Sequence, residues 1–288
     1  MSDTRTVIVE QDGPILWLRL NRPEAMNAYT ADMGAELTAA FNRADTDDSV
    51  RVVVLTANGR VFCAGADVSA GAGAFDTASG TGATAFGAGR DNNERANDFV
   101  GAMMDCRKPS IVAFNGSAAG VGLTLTLPCD IRIAADHAKF GCVFARRGLV
   151  PEAGSAWFLP RLVGLPQALK WCLTGALFPA SEALAAGLVS ETCPADQLEA
   201  RARELALEIA ASTAPVALAL TRRMLWQFGG EPGPQGALAI DAALNIALGQ
   251  TADVHEGVAA FLEKRAPDFP GTVSQDLPAT PWWRRGAG

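Results

Sequence analysis

The sequence predicts an α/β fold, in which strands alternate with helices, and three observations lead to that prediction. Two apolar runs, at residues 6–10 and Ile15–Leu20, flank a short polar turn, which is typical of a β-hairpin. Residues 51–56, RVVVLT, form a run rich in β-branched side chains, as expected for a strand buried on both faces. Residues 110–134 have the order strand, glycine-rich turn, helix and strand, which indicates a right-handed βαβ unit.

The remaining elements of the first half follow from spacing. Thr30 precedes a stretch whose apolar residues recur at helical spacing, so a helix is predicted to begin there. A second helix is expected at about 93–105 and a strand at Ser110–Phe114. After the glycine-rich turn, the sequence predicts an apolar helix to about Leu127 and a strand at 130–134.

Between these elements, residues 70–90 are a compositional break. They are nearly all Gly, Ala, Ser and Thr, with Phe75 and Phe86 as the aromatic residues. Such a segment buries too little apolar surface to offset the entropy of ordering the chain. We therefore expect a mobile loop or a loosely ordered lid.

From Pro151 onward the pattern is helical, apart from a short β-like piece at 188–193 and an extended tail from Pro267 to Trp282 and Trp283. Helices are expected at about 153–163, 166–173, 181–186, 195–212, 216–226, 234–248 and 252–264.

Composition excludes several classes of protein. The 288 residues carry 24 Lys and Arg against 31 Asp and Glu, a net charge of −7, which argues against a nucleic-acid partner. The six cysteines include no C-x-x-C pair, and the two histidines have no metal-ligand spacing, so no metal is expected. No apolar run is long enough to span a bilayer, and no signal segment opens the chain. A cytoplasmic enzyme without a membrane partner is the expectation.

The glycine-rich turn at 115–122 does not match a nucleotide-binding motif. Gly116, Gly120 and Gly122 do not form G-x-G-x-x-G, and the following helix lacks the Lys-Ser/Thr of a phosphate loop. Small residues at a helix N-terminus can instead leave backbone N–H groups exposed toward a ligand oxygen. Paired with an N–H from a neighbouring loop, such a group would form an oxyanion hole.

Four segments together resemble the enoyl-CoA hydratase/isomerase, or crotonase, superfamily. They are LNRPEAMNA at 20–28, FCAGADV at 62–68, NGSAAGVGL at 115–123 and FLEKR at 261–265, in the order and spacing of that family. The resemblance covers residues 6–271, most of the chain.

The resemblance implies a fold and an assembly. The fold is a ββα spiral core at residues 1–200, with the mobile loop at about 70–90 inside it, followed by a C-terminal helical oligomerisation region and tail at 201–288. The implied assembly is a homotrimer or homohexamer. The implied partner is an acyl-CoA thioester, in which coenzyme A is part of the substrate and no separate cofactor is needed.

The resemblance also implies residue roles. Ala66 and Val121 would supply the two backbone N–H groups that bind the thioester oxygen, because an enolate needs donors already in place. The residues placed along coenzyme A are Arg22, Ala25, Ala64, Asp67 and Val68, with Phe261 and Lys264 reaching the coenzyme A of a neighbouring subunit. Asp67 could instead fix its own loop, and Arg22 and Lys264 could be solvated surface charges.

The catalytic carboxylate is the most specific expectation. Hydration of an enoyl thioester uses two carboxylates around one water, and by motif position these would fall at Thr124 and Phe144, neither of which is acidic. Glu152 instead matches the position of the single acidic residue of the Δ3,Δ2-enoyl-CoA isomerases. The expected substrate pocket comprises Gly120, Thr124, Phe144 and Trp157, although the aromatic members could be ordinary core residues.

Glu152 also has a purely structural interpretation, since a proline followed by an acid is a common helix start. Three functions therefore remain open: an isomerase that shifts a Δ3 double bond to Δ2 with Glu152 as proton carrier, an enoyl-CoA hydratase of fatty-acid β-oxidation, and a protein that binds coenzyme A thioesters without turnover.

Overall fold

The computed structural model describes residues 5–75 and 98–282. The strands in these ranges are β1 (Val7–Asp12), β2 (Ile15–Leu20), β3 (Val52–Ala57), β4 (Ser110–Phe114), β5 (Ala118–Ala119), β6 (Ile131–Ala135), β7 (Lys139–Gly141), β8 (Leu177–Pro179) and β9 (Glu191–Cys193). The α-helices are α1 (Ala31–Thr46), α2 (Phe99–Asp105), α3 (Val121–Thr124), α4 (Ser155–Val163), α5 (Leu165–Thr174), α6 (Ala180–Ala185), α7 (Leu198–Ser212), α8 (Pro215–Phe228), α9 (Gln235–Leu248), α10 (Ala252–Glu263) and α11 (Val273–Asp276).

The larger sheet of the described chain has the strand order β1-β2-β3-β4-β6-β9. The β1–β2 hairpin is antiparallel, and every later neighbour in the sheet is parallel. The carboxyl ends of the parallel strands therefore lie at one edge, where the loops that follow β3 and β4 meet. The predicted α/β fold class, the hairpin and the βαβ order are confirmed.

The sheet is covered on both faces, as the β-branched run predicted. All six residues of β3 are buried. Val53 and Leu55 pack into the main core with α1 and α2, whereas Val52 and Val54 pack beneath α7. Each fully buried side chain of this kind contributes about 1.5–3 kcal/mol to folding.

The first helix begins where the sequence predicted. The side chain of Thr30 accepts a hydrogen bond from the backbone N–H of Met33 at 3.3 Å, which satisfies one of the donors at the start of α1. The buried face of α1 includes Met33, Leu37 and Phe41. Apolar residues that recur at helical spacing after Thr30 thus face the core, as the sequence predicted.

A second sheet was missed by the sequence reasoning. It has the order β5-β7-β8 and is built from pieces of two or three residues each. Strands this short carry no measurable alternation, so β8 fell inside a region predicted to be helical. The helix after the glycine-rich turn is also shorter than expected, since α3 ends at Thr124 and turns follow it.

The predictions for residues 70–97 are tested only at their ends. Gly71–Gly73 form a 3₁₀ turn, and α2 begins after Asp98, whose side chain accepts a hydrogen bond from Gly101 N–H at 2.8 Å. The described residues do not include most of the predicted loop at 70–90, with Phe86. They also do not include the first part of the helix expected at 93–105, or Trp283.

The predicted boundary at residue 200 falls inside α7. Ala202 and Ala206 of this helix are fully buried against the sheet, so α7 belongs with the core and the C-terminal helices begin at Pro215. Beyond it, α8 and α9 share a small apolar cluster of their own. The tail expected to be extended includes the short helix α11.

No single helix in the described ranges is both long and apolar enough to cross a membrane; only α7 and α8 taken together, bent by 115°, satisfy that test, by length and composition alone. All six cysteines are free thiols. Within residues 5–75 and 98–282, no group of three or more His, Cys, Asp or Glu side chains is placed to hold a metal ion.

Candidate active site

The loop after β3 and the glycine-rich turn after β4 lie side by side. Ala119 N–H donates to the carbonyl of Cys63 at 3.1 Å, and Phe62 N–H donates to the carbonyl of Ser117 at 3.1 Å. Gly122 allows this approach, because a Cβ at that position would lie 2.7 Å from Cys63 Cβ and would overlap the Cys63 carbonyl oxygen. The glycine therefore sets the distance between the two segments.

Each of these segments presents one backbone N–H group that has no acceptor among the described residues. Tyr29 N–H donates to Gly65 O at 2.8 Å and Asp67 N–H donates to Tyr29 O at 2.9 Å, which leaves the intervening Ala66 N–H outside this pairing. Val121 is the first residue of α3, so its N–H has no partner within the helix. Among the described residues, neither N–H group donates a hydrogen bond.

Both residues line the same cavity, whose volume is about 360 Å³. Besides Val121, seven residues predicted to bind the substrate or coenzyme A line this cavity: Ala25, Ala64, Ala66, Asp67, Val68, Gly120 and Phe144. Gly120 has φ +54°, a conformation that favours glycine, and its N–H donates to Gly141 O at 2.9 Å. The structure thus brings together most of the residues taken from the two loop motifs.

Arg22 lies beside this cavity and forms an ion pair with Asp67, one of the residues that line it. Its guanidinium donates to Asp67 Oδ2 at 2.9 Å and also to the carbonyl of Ala28. Asp67 Oδ1 accepts a hydrogen bond from Ser69 N–H at 2.9 Å, and these bonds lower the pKa of Asp67. Asp67 therefore fixes its own loop, as the structural alternative proposed, while Arg22 is held near the cavity with a quarter of its side chain exposed.

Glu152 lies next to the cavity rather than in its lining. It precedes two residues with left-handed backbone, Ala153 at φ +52° and Gly154 at φ +69°, and α4 begins only at Ser155. A left-handed alanine costs roughly 1–2 kcal/mol, so the surrounding structure must impose this conformation. The interpretation of Pro151 and Glu152 as an ordinary helix start is therefore wrong.

The carboxyl group of Glu152 is mostly buried and accepts a hydrogen bond at Oε1 from the hydroxyl of Thr124, the last residue of α3. Burial raises the pKa of Glu152 to about 7, and the hydrogen bond from Thr124 acts in the opposite direction. No basic residue in the described part of the chain contributes to this shift. A carboxyl group in this state is half ionised near neutral pH and can either accept or release a proton.

Six predicted residues do not line the cavity: Arg22, Thr124 and Glu152 lie beside it, and Trp157, Phe261 and Lys264 lie elsewhere. The Trp157 ring packs against Trp226 and beneath the guanidinium of Arg161, 3.9 Å from the ring centroid, so the structure does not place it in the substrate pocket. Phe261 and Lys264 lie at the end of α10 and line no part of this cavity.

The sequence reasoning missed other residues that shape the site. Asn27 is fully buried with φ +52°, and its amide donates to the carbonyls of Asn58 and Val61, both at 2.8 Å. It thereby joins the segment at 20–28 to the loop after β3. Asn27 lies within the family segment LNRPEAMNA at residues 20–28, and this position could have indicated a role in the site. Further lining residues were not assigned: Met26, Ala28, Gly65, Ser69, Phe75, Val143, Arg147 and Leu149.

Comparisons with known proteins agree with this geometry. The family model described as enoyl-CoA hydratase/isomerase matches residues 10–272. Enoyl-CoA hydratase ACTT3 of Alternaria alternata is 39% identical over 270 residues, covering 92% of this chain and 87% of the relative. The 1,2-epoxyphenylacetyl-CoA isomerase of Escherichia coli K12 is 34% identical over 264 residues, covering 89% and 95%.

Comparison with solved structures indicates the same family. A crystal structure described as a probable enoyl-CoA hydratase/isomerase from Mycobacterium abscessus superposes with a TM-score of 0.79 at 33% identity, covering 94% of this chain and all of that chain. Together with the shared cavity of the two loops, these matches show that the chain belongs to the enoyl-CoA hydratase/isomerase family, within the crotonase superfamily of acyl-CoA enzymes.

Proposed function

We propose that this enzyme moves the double bond of an unsaturated acyl-CoA from Δ3 to Δ2, with Glu152 as the proton carrier. One observation carries the proposal: the two positions expected to be acidic for hydration are Thr124 and Phe144, whereas the buried carboxyl of Glu152 has a pKa of about 7 beside the cavity. A 1,3-proton shift needs only one such group, because the proton removed at one carbon is returned at another.

The N–H groups of Ala66 and Val121, which have no acceptor in the described structure, would stabilise the intermediate. Removal of a proton from C2 of a 3-enoyl thioester places negative charge on the thioester oxygen. Two preorganised N–H donors stabilise that charge without reorganising at the moment of reaction. Since they are backbone groups at a helix start and in a hydrogen-bonded loop, their side chains can vary.

Glu152 would then transfer the proton. Its ionised carboxylate takes the C2 proton, the C–H electron pair forms the dienolate, and the same carboxyl group returns the proton at C4. The 2-enoyl thioester is released and Glu152 is ionised again, so the cycle consumes no water and no other reactant. Raising the pKa of the carboxyl toward the working pH strengthens it as a base.

Two alternative functions predict different experimental results. A hydratase, the activity in the name of the Alternaria relative, would hydrate crotonyl-CoA at a rate comparable to any isomerisation. A binding protein would bind coenzyme A thioesters in calorimetry and convert none of them. The deciding experiment supplies a 3-enoyl-CoA and crotonyl-CoA to the wild-type protein in parallel; efficient hydration with no double-bond migration would contradict the proposal.

The pH dependence of isomerisation provides a separate prediction. Because the base must be ionised, kcat/KM is expected to rise with pH through about 7 and to level off above it. At pH 5 it should be about 100-fold below the plateau, since each pH unit below the pKa removes about nine-tenths of the ionised form. Steady-state rates at pH 5 to 9 would test this. A profile that is flat over this range would exclude Glu152 as the base.

We also propose that the chain forms a homotrimer or homohexamer through its C-terminal helices. Two large apolar residues of α10 are highly exposed, Phe261 at 81% and Leu262 at 73%. Together with Val258 they line an apolar cavity of about 450 Å³. An apolar patch of this kind on a soluble surface is typical of an interface. A neighbouring copy covering it would bring Phe261 and Lys264 toward that copy's coenzyme A.

Replacing Leu262 by aspartate is expected to dissociate this assembly, because a charge buried in an apolar interface is unfavourable. Sedimentation should show wild-type protein with the mass of three or six chains and the variant as smaller species. His255→Asp, on an exposed position of the same helix that does not line the cavity, is the matched control. A Leu262→Asp variant that assembles like wild type would place the interface elsewhere.

A further inference from the structure

The hydroxyl of Thr124 lies at the junction of the oxyanion turn and the carboxyl group. The residue is almost fully buried, and its Oγ1 lies 3.3 Å from the carbonyl oxygen of Gly120 and within hydrogen-bond distance of Glu152 Oε1. The hydroxyl has one proton to donate, so these two acceptors compete for it. Gly120 is the residue immediately before Val121, so one side chain contacts both parts of the site.

The two oxygens of Glu152 differ in their surroundings. Oε1 accepts the hydrogen bond from Thr124, whereas no described residue donates a hydrogen bond to Oε2. A protonated carboxyl group needs one oxygen for its proton and can still accept a hydrogen bond at the other. The bond to Oε1 can therefore persist in both protonation states while Oε2 gains and loses the proton.

From this arrangement, and on the basis of the proposed isomerase function, we propose that Thr124 is a positioning residue that holds Oε1 of Glu152 and directs Oε2 to carry the proton between C2 and C4. No bond of Thr124 breaks in the cycle. The same residue occupies one of the two positions where a hydratase site would need a carboxylate. A hydroxyl there orients the remaining carboxylate and adds no second negative charge beside it.

The surroundings contain few groups that would obscure a titration of Glu152. The ionisable groups in the described structure that respond to its charge are Tyr29 and Cys63. Burial raises the pKa of Cys63 to about 12 and raises the pKa of Tyr29 above its ordinary value, so both stay neutral from pH 5 to 9. A carboxyl group titrating near pH 7 should therefore be assignable to Glu152.

Thr124→Val removes the hydroxyl and keeps the shape of the side chain. Because one hydrogen bond to a charged group is lost, kcat should fall about 10- to 100-fold with little change in KM. The acidic limb of the pH–rate profile should move to higher pH, because the lost bond had favoured the ionised carboxylate. Thr124→Ser should behave nearly like wild type.

A direct titration separates this role from folding and from turnover. Infrared spectra of the free protein would follow the carboxyl band, with Glu152→Gln assigning it; Thr124→Val should raise its midpoint and Thr124→Ser should not. Thr126→Val is the matched control, since Thr126 is equally buried and its hydroxyl donates to Leu123 O at 2.7 Å, away from Glu152. It should leave the band and the rates unchanged.

Four outcomes would overturn the proposal. An unshifted carboxyl band in Thr124→Val, or a Thr124→Ser variant as impaired as Thr124→Val, would show that the hydroxyl does not position Glu152. If Thr124→Val retains full activity while Glu152→Gln is inactive, the positioning role fails and the isomerase function stands. If Glu152→Gln retains full activity, the isomerase function itself fails, and the positioning role fails with it.

Discussion

Replacing Glu152 by glutamine is expected to lower kcat for double-bond migration by about 1,000-fold, within the range attributed to a positioned general acid–base group. Glutamine has nearly the same shape and can still accept the hydrogen bond from Thr124, so substrate binding and KM should change little. The rate is measured from the appearance of the conjugated 2-enoyl thioester when a 3-enoyl-CoA is supplied. A Glu152→Gln variant as active as wild type would exclude the proposed mechanism.

The matched control is Glu208→Gln, which makes the same chemical change on an exposed position of α7 and should leave the rate unchanged. The free energy of unfolding gives an independent measurement on the same variant. Because the pKa of Glu152 is about 7 in the folded protein and 4.5 in the reference state, the folded state keeps a proton that the unfolded state loses. Wild-type stability should therefore fall by about 3 kcal/mol between pH 4.5 and pH 7, and Glu152→Gln should lack this contribution.

Replacing Gly122 by alanine should lower kcat by about 100- to 1,000-fold, the loss typical of one displaced oxyanion donor. The new methyl group would overlap the carbonyl oxygen of Cys63 in the facing loop, so the two segments must separate. Val121 and Ala66 lie on opposite sides of that contact, and their N–H groups would no longer converge on one oxygen. Overpacking of this kind also costs about 1–3 kcal/mol of stability.

A loss of stability alone must be distinguished from a loss of the donor geometry. Gly13→Ala provides the comparison, because Gly13 has φ +56° in the β1–β2 turn and no atom lies near its added Cβ. It should cost a similar roughly 1–2 kcal/mol through backbone strain alone. Thermal unfolding and isomerisation rates of both variants should show reduced stability in each and reduced activity only in Gly122→Ala. Equal activity of the two variants would argue against the Val121 donor.

The extent to which the fold could be predicted depended on the length of each pattern. The β3 run and the helical spacing after Thr30 are long enough to show a pattern, so both ends of β3 and the start of α1 were predicted within about two residues. The strands β5, β7 and β8 are two or three residues long and are stabilised by pairing with distant segments. No local pattern indicates such strands, which is why the second sheet was missed.

The site, like the fold, could be predicted from the sequence only in part. The loop motifs indicated Ala66 and Val121, and the structure places both on one cavity with unpaired N–H groups in the described chain. The sequence could not show that Arg22 is paired with Asp67, or that Trp157 packs on Trp226 instead of lining that cavity. These contacts join residues 45 and 69 positions apart, so their geometry depends on the packing of whole elements.

By itself, the sequence determined the α/β class, the family and the absence of acidic residues at positions 124 and 144, because these are properties of composition, periodicity and motif order. Only the tertiary structure shows the surroundings of Glu152. The proline and acid that indicated a helix start are followed by a left-handed alanine, and this turn holds the carboxyl group against Thr124 in a mostly buried site. Burial raises the pKa of that carboxyl to about 7, and burial is a property of the folded chain that no local sequence pattern contains.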